Sequence, residues 1–265
     1  MTTVLGLELR RARSLVLWLG LLAAGYAGAI AAFYPTVLEA ATSFDELLEL
    51  YPEGLLAALG LEGSLTDAGV FLNSYVFQFL WPLLAAIAAL LLATRVAVDA
   101  ERGFLDLPLS TPVSRTGYLA ASIVGQAIAI AGLGAVTVLA IEAVDLVIEP
   151  DFPVLGLVLA GCQAILFAFA IAGATTLLAV LTLSRGKAAG LAAAVLLLMY
   201  LLNVVASLSP DLAGLGRVSA FHYFALADVI RAERFPVGDG LLFAIVAGGG
   251  WAAALIAFRQ RDLAA

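Results

Sequence analysis

The sequence is poor in the residues that carry out chemistry. Its 265 residues include one cysteine, Cys162, one histidine, His222, and one lysine, Lys187, and only 12% of the chain is charged. A lone cysteine forms no disulfide within the chain, and without a second cysteine or a nearby histidine it builds no zinc site. We therefore read Cys162 as a small packing residue. The histidine lies in the aromatic run Phe221-His222-Tyr223-Phe224, which reads as an interface rather than a catalyst. No G-x-x-x-x-G-K-[ST] phosphate loop and no H-E-x-x-H helix occurs. Ser110 and Ser114 have no histidine or lysine partner in reach by sequence, which disfavours a hydrolase. No basic patch of the kind nucleic acid requires is present. These absences disfavour metal-dependent, nucleotide-hydrolysing and nucleic-acid-binding functions for this chain.

What the chain has instead is apolar length. It is 63% hydrophobic with a mean hydropathy of +1.08, and the excess comes in long runs that one soluble core could not absorb. A run of ~20 apolar residues crosses ~30 Å of hydrocarbon as a helix, which satisfies its own backbone hydrogen bonds. Six such runs are legible, near 14–34, 71–94, 118–141, 154–183, 188–208 and 240–258. The first is too long for a cleaved signal peptide and lacks a small-x-small cleavage site. The fold class expected is an all-α integral membrane protein of about six spans, forming one transmembrane domain over 1–265. Neither an internal repeat nor a separable soluble domain is visible.

Basic residues orient the spans. Arg10, Arg11, Arg13, Arg95, Arg102, Arg115, Arg185, Lys187, Arg259 and Arg261 fall on one side, and only Arg217, Arg231 and Arg234 on the other. The ten-to-three split predicts both termini in the cytoplasm. Acidic residues run the opposite way, so that the outer surface carries about −12 and the inner about +5 of the net −7. So acidic an exterior, with one Lys against twelve Arg, suggests a salt-loving prokaryotic host; a GC-rich genome gives a similar bias.

Local signals refine the picture. Leu5–Ser14 alternates apolar residues with arginines, as either an interfacial helix or a plain basic flank. Ser43 to Tyr51 has helical spacing and a capping box, so a helical cap is expected on the outer surface. The stretch 209–240, with FHYFALADVIRAERF, reads as amphipathic or re-entrant. Pro82 should kink the second span. Gly186 with Gly190, and Gly248–Gly250, are candidates for close helix packing. Asn73, Gln78, Gln126, Gln163 and Asn203 are uncharged polar residues inside spans. Each either bonds to a neighbouring helix or lines a substrate route. Arg95 can snorkel to the headgroups.

One stretch between the second and third spans is too polar to cross the membrane: Asp99-Ala-Glu-Arg-Gly-Phe-Leu-Asp-Leu-Pro-Leu-Ser-Thr-Pro-Val-Ser-Arg115. Its apolar residues would dock on something; otherwise it is a solvated loop. This stretch resembles the first intracellular loop of the ABC-2 type permeases, the membrane subunits of type V ABC exporters. The matching positions are Glu101, Gly103, Leu105, Leu107, Leu109, Ser110, Thr111, Pro112, Val113, Ser114 and Arg115. Phe104 and Pro108 depart from that pattern, which leaves the register of the short helix open. The opening Glu8-Leu9-Arg10-Arg11 and the ending Phe258-Arg259-Gln260-Arg261-Asp262-Leu263 also resemble that family's ends. The resemblance implies a short cytoplasmic coupling helix that contacts a separate ATPase subunit, which binds ATP and Mg. It implies no cofactor on this chain, and a working unit with a second permease copy or a sister permease. Glu101, Gly103, Leu105, Leu107, Leu109, Ser110, Pro112, Val113 and Arg115 are then a contact surface, not a catalytic site.

An ion-coupled carrier would call for midplane charges or broken inverted repeats, and neither is visible. A membrane scaffold without transport is the other rival. With amides and hydroxyls but no midplane charge, the spans favour an amphipathic or lipid-like substrate over an ion. Any charged head would rest near Arg95 or the acidic outer loops.

Overall fold

The computed structural model describes residues 2–40, 51, 56, 64–103, 114–149, 151–208 and 210–260. Six helices long and apolar enough to cross a bilayer account for most of them, and no strand occurs among them. The chain is an all-α integral membrane protein.

The first span is one helix, α1 (Thr2–Glu39). At 1.5 Å per residue it is ~57 Å long, well beyond the ~30 Å hydrocarbon core. The N-terminal basic segment and the first span are therefore a single rod. Hydropathy marks only the stretch lipid accepts, whereas a helix continues until its backbone is capped or broken.

The second span falls into four pieces: α2 (Ala68–Leu72), a π-helical stretch Asn73–Leu80, α3 (Trp81–Ala93) and α4 (Arg95–Glu101). It begins with Asp67 accepting the Val70 N–H at 3.0 Å as an N-cap. Pro82 lacks an N–H, and the distortion expected there appears as the wide π turn just before it. The Trp81 N–H reaches back five residues to the Val76 carbonyl. A second break falls at Thr94, whose hydroxyl turns onto the Leu90 carbonyl.

The third span, α5 (Arg115–Ile148), starts at Ser114, which accepts the Gly117 N–H at 3.1 Å. Then come α6 (Val154–Thr182) and α7 (Arg185–Leu208), joined through Leu183 in the left-handed conformation (φ 46°). Short helices α8 (Ala213–Gly216) and α9 (Ala227–Ala232) lead into the sixth span, α10 (Val237–Gln260). Successive spans run in opposite directions. The face where α1 begins and α10 ends is called here the terminal face. The helical cap expected over 43–51 lies outside the described residues, Tyr51 excepted.

Helix α6 is the hub, packing against α10, α3, α5, α7 and α9, while α1 lies along α5. Trp81 ties α3 to α6, its indole N–H donating to the Ala164 carbonyl at 2.7 Å. Close approach depends on glycine. A Cβ on Gly173 would lie 2.6 Å from the Ala247 carbonyl oxygen, and one on Gly250 would lie 2.6 Å from the Gly173 backbone. A Cβ on Gly156 would collide with the Ile230 carbonyl. The expectation of close packing thus holds at Gly250. It fails within this chain at Gly186, Gly190, Gly248 and Gly249, where a Cβ would meet open space. Spacing marks which glycines share a face, but not which face meets a neighbour. Cys162 is also exposed rather than packed, because it sits on the side of α6 that no helix covers.

Candidate functional site

Two places in the fold gather polar chemistry. The first is on the terminal face, where the chain leaves α4 and enters α5. There Glu8, Arg11, Arg95, Asp99 and Tyr118 meet from α1, α4 and α5. Glu8 and Arg11 are one helical turn apart on α1, as are Arg95 and Asp99 on α4, so each helix presents an acid and a base on one stripe. Arg95 donates to the Glu8 carbonyl at 3.1 Å, and its guanidinium lies 3.5 Å from the Glu8 carboxylate. Arg11 donates to Asp99 at 3.1 Å and lies 3.5 Å from the other Glu8 oxygen. The Tyr118 hydroxyl donates to Asp99 at 2.5 Å. Glu8 is 2% exposed and Asp99 7%.

This cluster corrects two expectations. Arg95 does not reach freely for headgroups; its guanidinium is committed to Glu8, so it does not serve a substrate head. The N-terminal segment is neither a separate interfacial helix nor a plain flank, because Glu8 faces inward from the start of α1. Two acids and two bases together are neutral and mutually compensated, which makes their burial tolerable. A residue-by-residue count of charge per side cannot reveal such pairing. The repeated acid–base spacing at 8/11 and 95/99 was the available signal.

The 99–115 segment leaves and re-enters the terminal face at defined points. Helix α4 ends at Arg102, and Gly103 turns away with φ 65°, a conformation that costs glycine little and other residues more. Glu101 is exposed, and its carboxylate accepts the backbone N–H of Arg185 at 2.9 Å. That bond caps the first turn of α7 with a negative charge, where the helix dipole favours it. Arg115 opens α5. Leu105, Leu107, Leu109, Ser110, Thr111, Pro112 and Val113 lie outside the described residues. Beside the re-entry point, Ser114, Thr116, Gly117 and Ala120 form a shallow depression with Leu255, Ile256 and Arg259 of α10.

The second place is on the opposite face, where the chain dips back into the bundle. The Ser219 hydroxyl donates to the Met199 carbonyl at 2.7 Å, nine residues below the end of α7, or ~13 Å along its axis. Asn73 accepts the Leu226 N–H at 2.9 Å, and the Gln163 amide lies 3.5 Å from the Tyr223 carbonyl. Phe167 packs beneath, its ring stacked on Phe224 at 4.3 Å and edge-on to Phe221 and Phe243 at 5.5 Å. The 219–226 stretch is therefore re-entrant, one of the two forms the sequence left open. A single 3-10 turn, Ala220–Tyr223, leaves flanking backbone groups unpaired within the bundle, and these side chains supply partners for them.

Three of the five polar span residues have hydrogen-bond partners on other elements. Asn73 and Gln163 both hold the re-entrant stretch. Gln126 accepts the Thr176 hydroxyl at 3.1 Å and so links α5 to α6. Gln78 lies half-buried in the π-helical stretch and Asn203 half-buried on α7. Between the re-entrant stretch and helices α6, α7 and α10 lies an apolar cavity of about 470 Å³.

A model of the family described as ABC-2 family transporter protein matches residues 7–216, from the first span to the end of α8. No curated protein matches the chain.

Proposed function

The chain belongs to the ABC-2 family of transporter proteins, and from that premise we propose that it is the permease subunit of an ATP-driven exporter whose ATPase is a separate chain. The family membership makes it a transport membrane subunit rather than a catalytic one. The absence of a phosphate loop from the sequence agrees with ATP and Mg residing on a partner. The ten-to-three basic split supports a cytoplasmic terminal face, and with it a 99–115 segment positioned to meet a cytosolic ATPase.

The observation that carries the reading is how the ends of that segment are anchored. At its start, Glu101 holds the first turn of α7. Two residues earlier, Asp99 holds Arg11 of α1 and Tyr118 of α5, and one turn before that Arg95 holds Glu8. A force on the segment is thus delivered to α1, α5 and α7 together through charge-assisted bonds. In this reading Glu101, Gly103, Leu105, Leu107, Leu109, Ser110, Pro112, Val113 and Arg115 form the coupling surface, and ATP-driven closure of the partner moves the helices they anchor. The working unit holds two permeases, identical or sister chains, and two ATPases. The substrate is amphipathic or lipid-like.

The test is purification of the full chain from its own host membrane. An ABC ATPase recovered in equal amount is expected. Leu105→Asp with Leu109→Asp should release it while the permease stays inserted, since charge replaces an apolar contact at a cost of several kcal/mol. Recovery of the chain with no ATPase, or an unchanged complex and unchanged transport in the double variant, would refute the coupling role.

A further inference from the structure

The cavity between α6, α7 and α10 is lined apart from the terminal-face cluster, and its chemistry is distinct from that of the terminal face. Its volume of about 470 Å³ falls within the ~300–1,000 Å³ of ordinary ligand sites. Ile171, Leu178, Val195, Met199, Phe243 and Val246 set its walls. From Phe167 to Leu178 it follows α6 for eleven residues, ~16 Å of helix axis, so it is a slot rather than a bowl.

The few hydroxyls around the slot are already spent. Thr175 donates to the Ile171 carbonyl at 2.7 Å, Ser219 to the Met199 carbonyl at 2.7 Å, and Tyr223 to the Arg217 carbonyl at 2.9 Å. A hydrophilic solute would lose its water here and gain no partner, whereas an apolar chain gains roughly 25 cal/mol per Å² removed from water. The slot also opens sideways. Val195 and Val246, both within apolar spans, are 47% and 43% exposed, and Val218 beside them is 66% exposed.

At the end remote from the termini stands Arg217, which lines the slot and is exposed. Arg231, on the same face, is bound to Asp67 at 2.9 Å and lies 3.6 Å from Asp228. Among the described residues Arg217 has no ion pair. Arg234 on the same side likewise has no ion pair among the described residues, but of the two only Arg217 lines the slot, where its charge offers an anion a partner on an otherwise acidic face. A planar guanidinium suits a phosphate geometrically as well as by charge.

We propose that this slot binds one acyl chain of an anionic phospholipid entering from the side, with the lipid phosphate at Arg217. The inference rests on the exporter reading for its orientation, which puts Arg217 in the outer leaflet, and it names the class of substrate or resident lipid that the permease would hold. Binding itself requires neither ATP nor a partner chain.

The experiment reconstitutes the full chain in nanodiscs of mixed lipid, with a trace of phosphatidylglycerol or phosphatidylcholine carrying a diazirine near the chain end. Photolabelled peptides are then mapped. Label is expected to concentrate on the slot walls of α6, α7 and α10, with phosphatidylglycerol exceeding phosphatidylcholine at least threefold. Val195→Trp, which fills the mouth from an exposed position, should lower slot labelling about fivefold or more. Arg217→Glu should abolish the headgroup preference, and Arg217→Lys should keep most of it. Should the tryptophan variant fail to fold, the two exposed Arg217 variants decide. Label spread evenly over every outward helix face, equal labelling by the two lipids, or cross-links from the slot to a second copy of the chain would each overturn the proposal. No slot label in a complex that retains its ATPase would remove the lipid site and leave the exporter reading intact. Slot label in a chain that recovers no ATPase would do the reverse.

Discussion

Replacing Arg95 by methionine strands the carboxylate of Glu8. That carboxylate is buried at 2% side-chain exposure, and its remaining cation is Arg11, 3.5 Å away and 41% exposed. Breaking a buried pair by removing one partner costs ~3–5 kcal/mol. Arg11 still compensates part of the charge, so the lower end, ~3 kcal/mol, is expected here. At ~2–4 °C of Tm per kcal/mol for a chain of this size, Arg95→Met should melt ~6–12 °C early. Glu8→Gln alone is expected to be mild, because Arg95 keeps the Glu8 carbonyl and Arg11 keeps Asp99. The decisive variant is the double one. Glu8→Gln with Arg95→Met leaves no unpaired charge, so it should recover to within ~1 kcal/mol of the parent, the scale of one lost neutral hydrogen bond. All four proteins are melted in one detergent at one scan rate, with the folded fraction read by size exclusion. A double variant no more stable than Arg95→Met would show that the two groups are not coupled, and the inner cluster would lose its claim to anchor α4 on α1.

Three further outcomes are expected. With Cys162 replaced by Ala, Glu49→Cys and Glu149→Cys should react with an impermeant thiol reagent in whole cells and Arg102→Cys should not; the reverse pattern would invert the topology. Gly173→Ala drives a methyl into the Ala247 carbonyl at 2.6 Å and should cost ~1–3 kcal/mol, whereas Gly190→Ala meets open space and should gain up to ~1 kcal/mol of helix propensity; equal melting of the two would refute the α6–α10 contact. Asn73→Ala removes the acceptor of the buried Leu226 N–H, at ~1–3 kcal/mol, and should make the 219–226 stretch more sensitive to protease than the parent.

The number of spans and their alternation follow from the sequence alone, because lipid leaves the backbone no option but to bond within each apolar run. Composition and the segment Glu101 to Arg115 were enough to point to the family, since charge and Gly-Pro punctuation stand out against so apolar a chain. What sequence could not supply was which residues meet across helices. Six spans of similar apolarity lack a polar face to orient them, so nothing along the chain tells that Gly173 and Gly250 touch while Gly186 and Gly190 do not. For the same reason Glu8 and Asp99 looked like ordinary charges at span ends. Only with α1 laid along α5 and α4 packed beside them do these acids gain Arg95, Arg11 and Tyr118. Asn73 and Gln163 were legible as polar residues in hydrocarbon, and their role was not, because the backbone they satisfy lies 153 residues away for Asn73 and 60 for Gln163. Span identity is local and hydropathic, hence readable from sequence. The inner ionic cluster, the re-entrant stretch and the apolar slot depend on long-range packing that arranges a few polar side chains among many interchangeable apolar ones, and only the tertiary structure decides that.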